Sequence, residues 1–168
     1  MSAVRAIEAD ALLASGGAAA GVRVADCVAV LVADPASGAV AAIHAGWRGT
    51  VRGVVTGAVA QLAARGGAPS QFAAAVFPHI RACCFEVGEE VAAEISGASH
   101  ARDVIVRGGA KPHVNLVTVV LAQLERAGVP PTRVDDVPGC TKCAPARFHS
   151  YRRDGANAGR HLAAIMSR

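Results

Sequence analysis

A junction in the middle of the chain, His44-Ala-Gly-Trp-Arg-Gly49, constrains the possible folds more than any other stretch. The apolar run before it, residues 39–43, predicts a buried strand. The segment after it, residues 50–65, has the spacing of an amphipathic helix. Rigid elements on both sides would fix the His and Arg side chains, and the glycines let a ligand approach the backbone. The junction is therefore a candidate functional site, although a purely structural role for His44 and Trp47 explains the same residues.

The remaining pattern mixes strands and helices without a regular β-α-β rhythm. Residues 22–33 predict a Val-rich buried strand interrupted at Asp26-Cys27, and together with residues 39–44 they predict a hairpin whose second strand delivers His44. Thr50 is predicted to cap the helix that follows. Further strands are predicted at 72–77 and 160–165, and further helices at 89–95 and 116–124. The predicted fold class is α+β, with mixed β-sheets and flanking helices.

Composition limits the domain organisation and the classes of partner. The 168 residues are 52% hydrophobic and 18% charged, which predicts one globular domain over residues 1–168 and excludes a disordered chain. The formal net charge is +4, but the basic residues are scattered and do not form the clustered patch that nucleic acid needs. We therefore predict no nucleic-acid partner and expect some arginines to bind a small anionic substrate.

Targeting signals and cysteine usage indicate a compartment. The first ten residues contain no continuous apolar segment of the kind found in signal peptides, and no apolar run approaches the roughly 20 residues of a membrane span. The chain has five cysteines, and Cys83 and Cys84 are adjacent, which suits a disulfide framework poorly. We predict a cytoplasmic protein without a membrane partner, whose thiols are reactive or bind metal.

Metal-binding side chains occur at several element boundaries. His44, the Cys83-Cys84 pair and His113 offer a His/Cys/His set of the kind that holds a catalytic zinc with one open position, and the same set suits copper. Their spacing alone does not group them, because only the fold could assemble such a site. Cys140-x-x-Cys143 resembles half of a zinc knuckle, but no second pair with that spacing is present, and we predict two ordinary thiols there.

Polar residues near these donors are candidates for substrate binding. Arg48 lies four residues from His44 and could bind an anion beside a metal. Arg152 and Arg153 could bind phosphate, but consecutive residues of an extended segment point to opposite faces, so at most one should reach a pocket. Asp26 lies in an apolar stretch and is costly to bury unless paired; it could orient a ligand histidine or cap a turn. Cys27 is predicted to be a core residue.

Several motifs resemble the laccase-domain family, also called multicopper polyphenol oxidoreductases and now largely regarded as purine nucleoside phosphorylases. They occur in the family's order over nearly the whole chain: Ala25-Asp-Cys27, His44-Ala-Gly-Trp-Arg-Gly49, Cys83-Cys-Phe-Glu-Val-Gly88, the 111–116 stretch with His113, Cys140-Thr141, and Ser150-Tyr-Arg-Arg-Asp-Gly155 with Gly159-Arg160. The resemblance implies an α+β laccase-domain sandwich, related to the fold of cytotoxic necrotising factors.

The resemblance also implies an activity and a site. It implies phosphorolysis of adenosine, inosine or guanosine with phosphate, and deamination of adenosine as a second activity. It implies that His44, Cys84 and His113 bind one Zn²⁺ ion and take part in catalysis together with Arg48. Substrate or phosphate would be bound by Arg48, Asp26 and Arg153, while Cys83 and Trp47 would support the site from just outside the metal ligands.

Departures from the family pattern keep other functions open. The family normally carries several dozen residues before the segment at Glu8, including a Gln-Val-His-Gly segment, and this chain starts after them. The alternatives are therefore copper-dependent phenol oxidation, a metal-free hydrolase that uses Cys84 with His44 or His113, and an inactive, truncated metal-binding protein. The chain has no His-x-His pair, which argues against a multicopper centre. A shortened chain would expose sheet edges, so we expect a homo-oligomer.

Overall fold

The computed structural model describes residues 8–168, and it has three layers around one central sheet. The strands are β1 (Ala11–Ala14), β2 (Ala19–Val24), β3 (Val28–Ala33), β4 (Val40–Ala45), β5 (Ala73–Val76), β6 (Ile105–Val106), β7 (His113–Val114), β8 (Val134–Asp136) and β9 (His161–Met166). The helices are α1 (Trp47–Val51), α2 (Val54–Ala63), α3 (Glu89–Ala98), α4 (Leu116–Arg126) and α5 (Tyr151–Asp154). The central sheet has the order β1-β4-β3-β5-β8, and only its β5–β8 pair is parallel.

Two hydrophobic cores lie on opposite faces of the central sheet, because successive side chains of a strand point to opposite sides. Val30 and Ile43 face the helices, where they pack with Val59 of α2 and Val120 of α4. Ala29, Leu31 and Ala42 face the other way, onto the two-stranded ribbon of β2 and β9. The predicted α+β class, with mixed sheets and flanking helices, is confirmed. Within the described part of the chain, no helix combines the length and the apolar character that crossing a bilayer requires.

The Val-rich segment from residue 22 to 33 is two strands in two different sheets. Strand β2 pairs with β9, whereas β3 pairs with β4 and β5. The chain turns between them at Asp26, whose φ of +83° lies in the left-handed region. The prediction of one strand was therefore wrong, but the β3–β4 hairpin does deliver His44 to the end of the sheet.

The predicted helix over residues 50–65 is also interrupted. Gly53 adopts a φ of +76° between α1 and α2, a conformation that costs glycine little and other residues more. Thr50 lies inside α1 and does not cap a helix; its carbonyl accepts a hydrogen bond from Gln123 of α4 at 2.7 Å. The break at Gly53 makes α1 a separate short helix and not the first turn of α2. Trp47, at the start of α1, lies beside the site described below.

The turn that closes the β3–β4 hairpin depends on the buried carboxylate of Asp34. It accepts hydrogen bonds from the Ala36 N–H at 3.0 Å and from the Ser37 hydroxyl, and the Ser37 bond lowers the pKa of Asp34. Replacing Asp34 by Ala should lower the free energy of unfolding by about 1–3 kcal/mol, as expected for a lost buried acceptor. Urea unfolding followed by Trp47 fluorescence would measure this loss.

The stability that Asp34 contributes should decrease as the pH falls. A carboxylate whose folded pKa is lowered stabilises the protein above its unfolded pKa, and that stability disappears as the pH falls below it. The wild type and Asp34→Ala should therefore differ most at neutral pH and converge below about pH 3.8. An equal difference between the two proteins at both pH values would contradict the ionic role of Asp34.

Candidate functional site

His44 at the end of β4 is held between an acidic residue and a thiol. Its Nδ1 lies 2.8 Å from Asp10 Oδ1, and its backbone N–H donates to the Asp10 carbonyl at 2.7 Å. The pairing of β1 with β4 places Asp10 there, because it positions Ala11 opposite Ile43. The Cys27 thiol lies beside the His44 side chain, close enough to shift its pKa. Cys27 precedes β3 and shares a face with Ala29, which lies directly opposite His44.

The interactions of the His44 ring with Cys27 and with the Asp10 carboxylate favour the charged form of His44. They raise its pKa to about 9, although burial acts in the opposite direction. The Nδ1–H of His44 donates to Asp10, whereas Nε2 must lose its proton before it can bind a metal. A carboxylate on one ring nitrogen of a histidine, with a thiol near the other nitrogen, is the arrangement that tunes histidine ligands in metal sites.

Glycine at position 46 keeps the space between this His and Cys open. A Cβ on Gly46 would lie 3.4 Å from Cys27 Sγ and 3.5 Å from His44 Nε2. The two donor atoms therefore converge on one small space above the Gly46 backbone. Because these distances are ordinary van der Waals contacts, a methyl group would occupy that space without a severe clash.

A cavity of about 380 Å³ opens beside the His44–Cys27 pair. Both residues line it, together with Arg23, Val24, Ala25, Asp26, Ile80, Phe85, Tyr151, Arg152 and Arg160. The lining combines two aromatic rings with three guanidinium groups. Aromatic faces bind planar ligands, and arginines bind phosphate or carboxylate, so the cavity suits a planar, anion-associated ligand.

Asp26 organises the wall of this cavity. Its buried carboxylate accepts hydrogen bonds from the Thr141 hydroxyl at 2.6 Å, the Ser150 hydroxyl at 3.0 Å and the Arg152 backbone N–H at 2.6 Å. Sequence reasoning offered Asp26 as a substrate ligand, as the partner of a ligand histidine, or as a turn cap. In the structure Asp10, and not Asp26, orients His44. The Asp26 carboxylate instead ties residues 141–152 to the β2–β3 turn.

Of the two consecutive arginines, Arg152 lines the cavity, whereas Arg153, the one that the family resemblance assigned to the substrate, does not. Arg153 donates to the carbonyls of Thr141, Lys142 and Phe148 and pairs with Asp154 at 2.8 Å. These acceptors occupy its guanidinium group. Arg152 is the arginine that lines the cavity, and its Nη1 donates to the Glu86 carbonyl at 2.7 Å. Residues 151–154 form a helical turn, so the expected alternation of an extended segment does not apply.

The structure does not bring His44, Cys84 and His113 together. Cys84 packs against the helix-side core, whereas Cys27, the thiol that does reach His44, packs against the ribbon-side core. His113 lies in β7, where it pairs with Val106 and Glu86. Among residues 8–168, the group of three or more metal-capable side chains that the structure forms includes neither histidine. Both Cys84 and its neighbour Cys83 belong to that group.

That group consists of cysteines alone. The Sγ atoms of Cys83, Cys84, Cys140 and Cys143 lie within 4.8 Å of one another. The prediction that Cys140 and Cys143 lack a second pair was therefore wrong: the second pair is Cys83-Cys84, which has no intervening residues and so does not show the usual spacing. Burial would raise the pKa of Cys140, but N–H groups of Arg81 and Cys143 point at its sulfur and lower it to about 7.

Arg48 and Trp47 pack against each other at the junction. The Arg48 guanidinium lies 4.4 Å from the centre of the Trp47 ring, and its side chain is exposed. Trp47 is half-buried and lines a neighbouring groove with Phe85 and Lys111. Arg48 lines neither this groove nor the His44 cavity. Its predicted role in phosphate binding remains a prediction.

Sequence reasoning missed Asp10 and underrated Cys27. A usable signal for Cys27 was present, because it lies two residues before Ala29 in a hairpin whose other strand ends at His44. Asp10 carried no comparable signal, since the β1–β4 pairing that places it is a long-range contact. Arg23 in β2 and Arg160, which precedes β9, were also missed, because β2 and β9 form the ribbon and not the central sheet.

Comparisons with known proteins agree with this architecture. The sequence profile of the family described as "Multi-copper polyphenol oxidoreductase laccase" matches residues 2–168. The crystal structure of YlmD from Geobacillus stearothermophilus superimposes with a TM-score of 0.88 at 31% identity, covering 95% of this chain and 61% of that one. Neisseria meningitidis protein NMB0706 gives a TM-score of 0.84 at 34% identity, covering 96% and 66%.

Relatives of similar sequence carry enzyme names. A protein named adenosine deaminase RL5, from an unidentified prokaryote, is 38% identical over 89% of this chain and 58% of its own length. A purine nucleoside phosphorylase of Deinococcus radiodurans is 39% identical over 94% of this chain and 61% of its own length. The chain thus spans about three-fifths of the length of these relatives. The match over nearly every residue shows that the chain belongs to the multi-copper polyphenol oxidoreductase laccase family.

Proposed function

We propose that this chain carries the purine-nucleoside site of a metal-dependent enzyme, which phosphorolyses nucleosides to the free base and ribose 1-phosphate. The observation that carries the proposal is the cavity in which the His44–Cys27 pair, three arginines and two aromatic rings meet. The names of the relatives support the substrate class. The same pocket would deaminate adenosine, a second activity supported by the name of the RL5 relative.

The metal in this proposal is Zn²⁺, held by His44 Nε2 and Cys27 Sγ. Imidazole and thiolate are both zinc ligands, and a zinc site of this type is completed by a further ligand and by an open position. Copper accepts the same donors. However, the sequence has no His-x-His pair of the kind that multicopper centres use, and nucleoside chemistry therefore has more support here than multicopper phenol oxidation. A bound zinc would supply Lewis acidity and lower the pKa of a coordinated water.

The remaining lining residues would bind and orient the reactants. Arg23 and Arg160 line the cavity, and their guanidinium groups would hold phosphate for attack at the sugar C1′. In that step the new bond joins a phosphate oxygen to C1′, the bond to the base breaks, and the base leaves with a proton. The faces of Phe85 and Tyr151 would stack on the base. Asp10 would keep His44 in the tautomer that presents Nε2.

Turnover assays with and without phosphate test this proposal. Purified chain supplied with zinc is incubated with inosine, and hypoxanthine and ribose 1-phosphate are measured by chromatography. We expect base release that requires phosphate, together with release of ammonia from adenosine. Base release that does not respond to phosphate would indicate hydrolysis instead, and the absence of both products would contradict the proposed function of this chain.

Substitutions of two arginines, one inside the cavity and one outside it, test phosphate binding. Arg23→Gln should raise the KM for phosphate by about 10–100-fold, as expected for the loss of a charged hydrogen bond of about 1.5–3 kcal/mol. Arg126→Gln removes the same charge from the exposed end of α4, outside the cavity, and should leave this KM unchanged. If both changes raise the KM for phosphate equally, only the net charge of the protein matters, and Arg23 is not part of a phosphate site.

A further inference from the structure

We propose that Cys83, Cys84, Cys140 and Cys143 form a second metal site, a closed tetrathiolate zinc site that stabilises the wall of the nucleoside cavity. We call these four residues the cysteine cluster. The site is separate from the His44–Cys27 pair, and the proposal does not require the nucleoside chemistry to be correct. Four thiolates leave no position open for a substrate, which is the property of structural zinc sites.

The sulfur positions match the size of a zinc tetrahedron. Zinc–sulfur bonds of about 2.3 Å place the sulfurs of a tetrahedral site about 3.8 Å apart. In the structure Cys143 Sγ lies 3.7 Å from Cys83 Sγ and 3.3 Å from Cys84 Sγ, and all four sulfurs fit within 4.8 Å. All four are free thiols, so no disulfide accounts for their approach. An ion could bind with only small movements of the side chains.

The backbone allows two adjacent cysteines to point at one centre. Consecutive side chains of an extended strand diverge, but residues 82–84 form a turn, and both thiols face Cys143. On the other side, residues 141–143 also form a turn, which lets Cys140 and Cys143 approach each other.

The cysteine cluster joins two segments that are far apart in the chain and poor in regular structure. Residues 82–84 and 140–143 lie outside the helices and strands. The contacts around them include the parallel bridge of His79 with Cys140 and the ion pair of Arg81 with Asp136 at 2.7 Å. A metal that connects both segments would therefore add a cross-link between them, beside the helix-side core against which Cys84 and Cys140 pack.

The second turn of the cysteine cluster leads directly to the nucleoside cavity. Thr141, between two of the cysteines, donates its hydroxyl to Asp26, which lines the cavity beside Cys27. Arg153 holds the carbonyls of Thr141 and Lys142 from the opposite side. A zinc ion that holds residues 140–143 in place would therefore also hold Asp26 in place through Thr141. Asp26 in turn holds the cavity-lining Arg152. None of the four cysteines lines the cavity, so their role there is positioning only.

Metal content and ligand type test this inference. The experiment uses a variant in which Cys27→Ser and His44→Ala remove the pocket pair, so that the cysteine cluster is the remaining thiol site. We expect about one zinc per chain, and X-ray absorption at the zinc edge should show a shell of four sulfurs at about 2.3 Å. Adding Cys143→Ser to this variant should abolish the zinc. Zinc that persists after this change, or a shell rich in nitrogen or oxygen, would overturn the inference.

Thiol labelling of the wild type keeps the test decisive even if Cys143→Ser does not fold. With zinc bound, the four cluster cysteines should resist alkylation in the native protein, and all four should become reactive when a chelator removes the metal. Hydrogen exchange should then accelerate at residues 140–154, but not in β3 or β4. Four thiols that label equally well with and without zinc, or a cluster oxidised to disulfides in the freshly purified protein, would exclude a zinc site.

Discussion

Asp26→Ala is expected to lower the free energy of unfolding by about 3–5 kcal/mol, which places it among the most destabilising single changes in the chain. The change removes a buried acceptor and leaves the Thr141 and Ser150 hydroxyls and the Arg152 N–H without their partner. It also places alanine at a φ of +83°. Urea unfolding followed by the fluorescence of Trp47, the single tryptophan, measures the loss.

Asp103, a second aspartate with a backbone in the left-handed region, allows the cost of backbone strain to be measured apart from the cost of lost hydrogen bonds. Asp103 has a φ of +57° but is exposed, so Asp103→Ala should cost only the strain, about 1 kcal/mol. Asp26→Asn keeps the shape and tolerates the left-handed conformation, but turns one acceptor into a donor that faces other donors. It should fall between the two alanine variants. If both alanine variants lose the same stability, the hydrogen-bond network around Asp26 does not stabilise the fold.

His44→Ala is expected to weaken zinc binding in the cavity by more than about 100-fold and to remove nucleoside turnover. The estimate is a lower limit, because losing a group that only orients a ligand already costs about 10–100-fold in affinity. Asp10→Asn tests that lesser effect: it keeps a hydrogen-bond acceptor for His44 Nδ1 but removes the charge, and should weaken zinc binding by about 10–100-fold. Calorimetric titration with zinc measures both changes.

His113→Ala is the informative comparison for this result. The family resemblance predicts His113 as a zinc ligand, whereas the structure pairs it with Val106 and Glu86 in a short hairpin. If Cys27 and His44 form the metal pair, His113→Ala should bind zinc as the wild type does. A loss as large as that of His44→Ala would restore the His44, Cys84 and His113 set and would contradict the pair proposed here.

Much of the architecture could be predicted from local patterns. The period-2 and 3,4 spacings of apolar residues predict β5, α3, α4 and β9 close to their observed positions. They also predict the α+β class and place His44 at the end of a strand. Local patterns failed at Asp26 and Gly53, where a single residue in the left-handed region redirects the chain. Backbone geometry of this kind leaves only a weak trace in composition, because Asp and Gly occur in many other contexts.

The sequence by itself determined which chemically functional groups are present: one His-containing junction, five cysteines, scattered arginines and a set of family motifs. Only the tertiary structure decided which of these groups meet. The pairing of β1 with β4 brings Asp10 to His44, and the face alternation of β3 brings Cys27 there. Two turns bring Cys83-Cys84 to Cys140 and Cys143, and Asp26 carries the 141–152 segment to the cavity. These contacts join residues far apart in the chain, and their formation depends on loop closure and core packing, which no local spacing records.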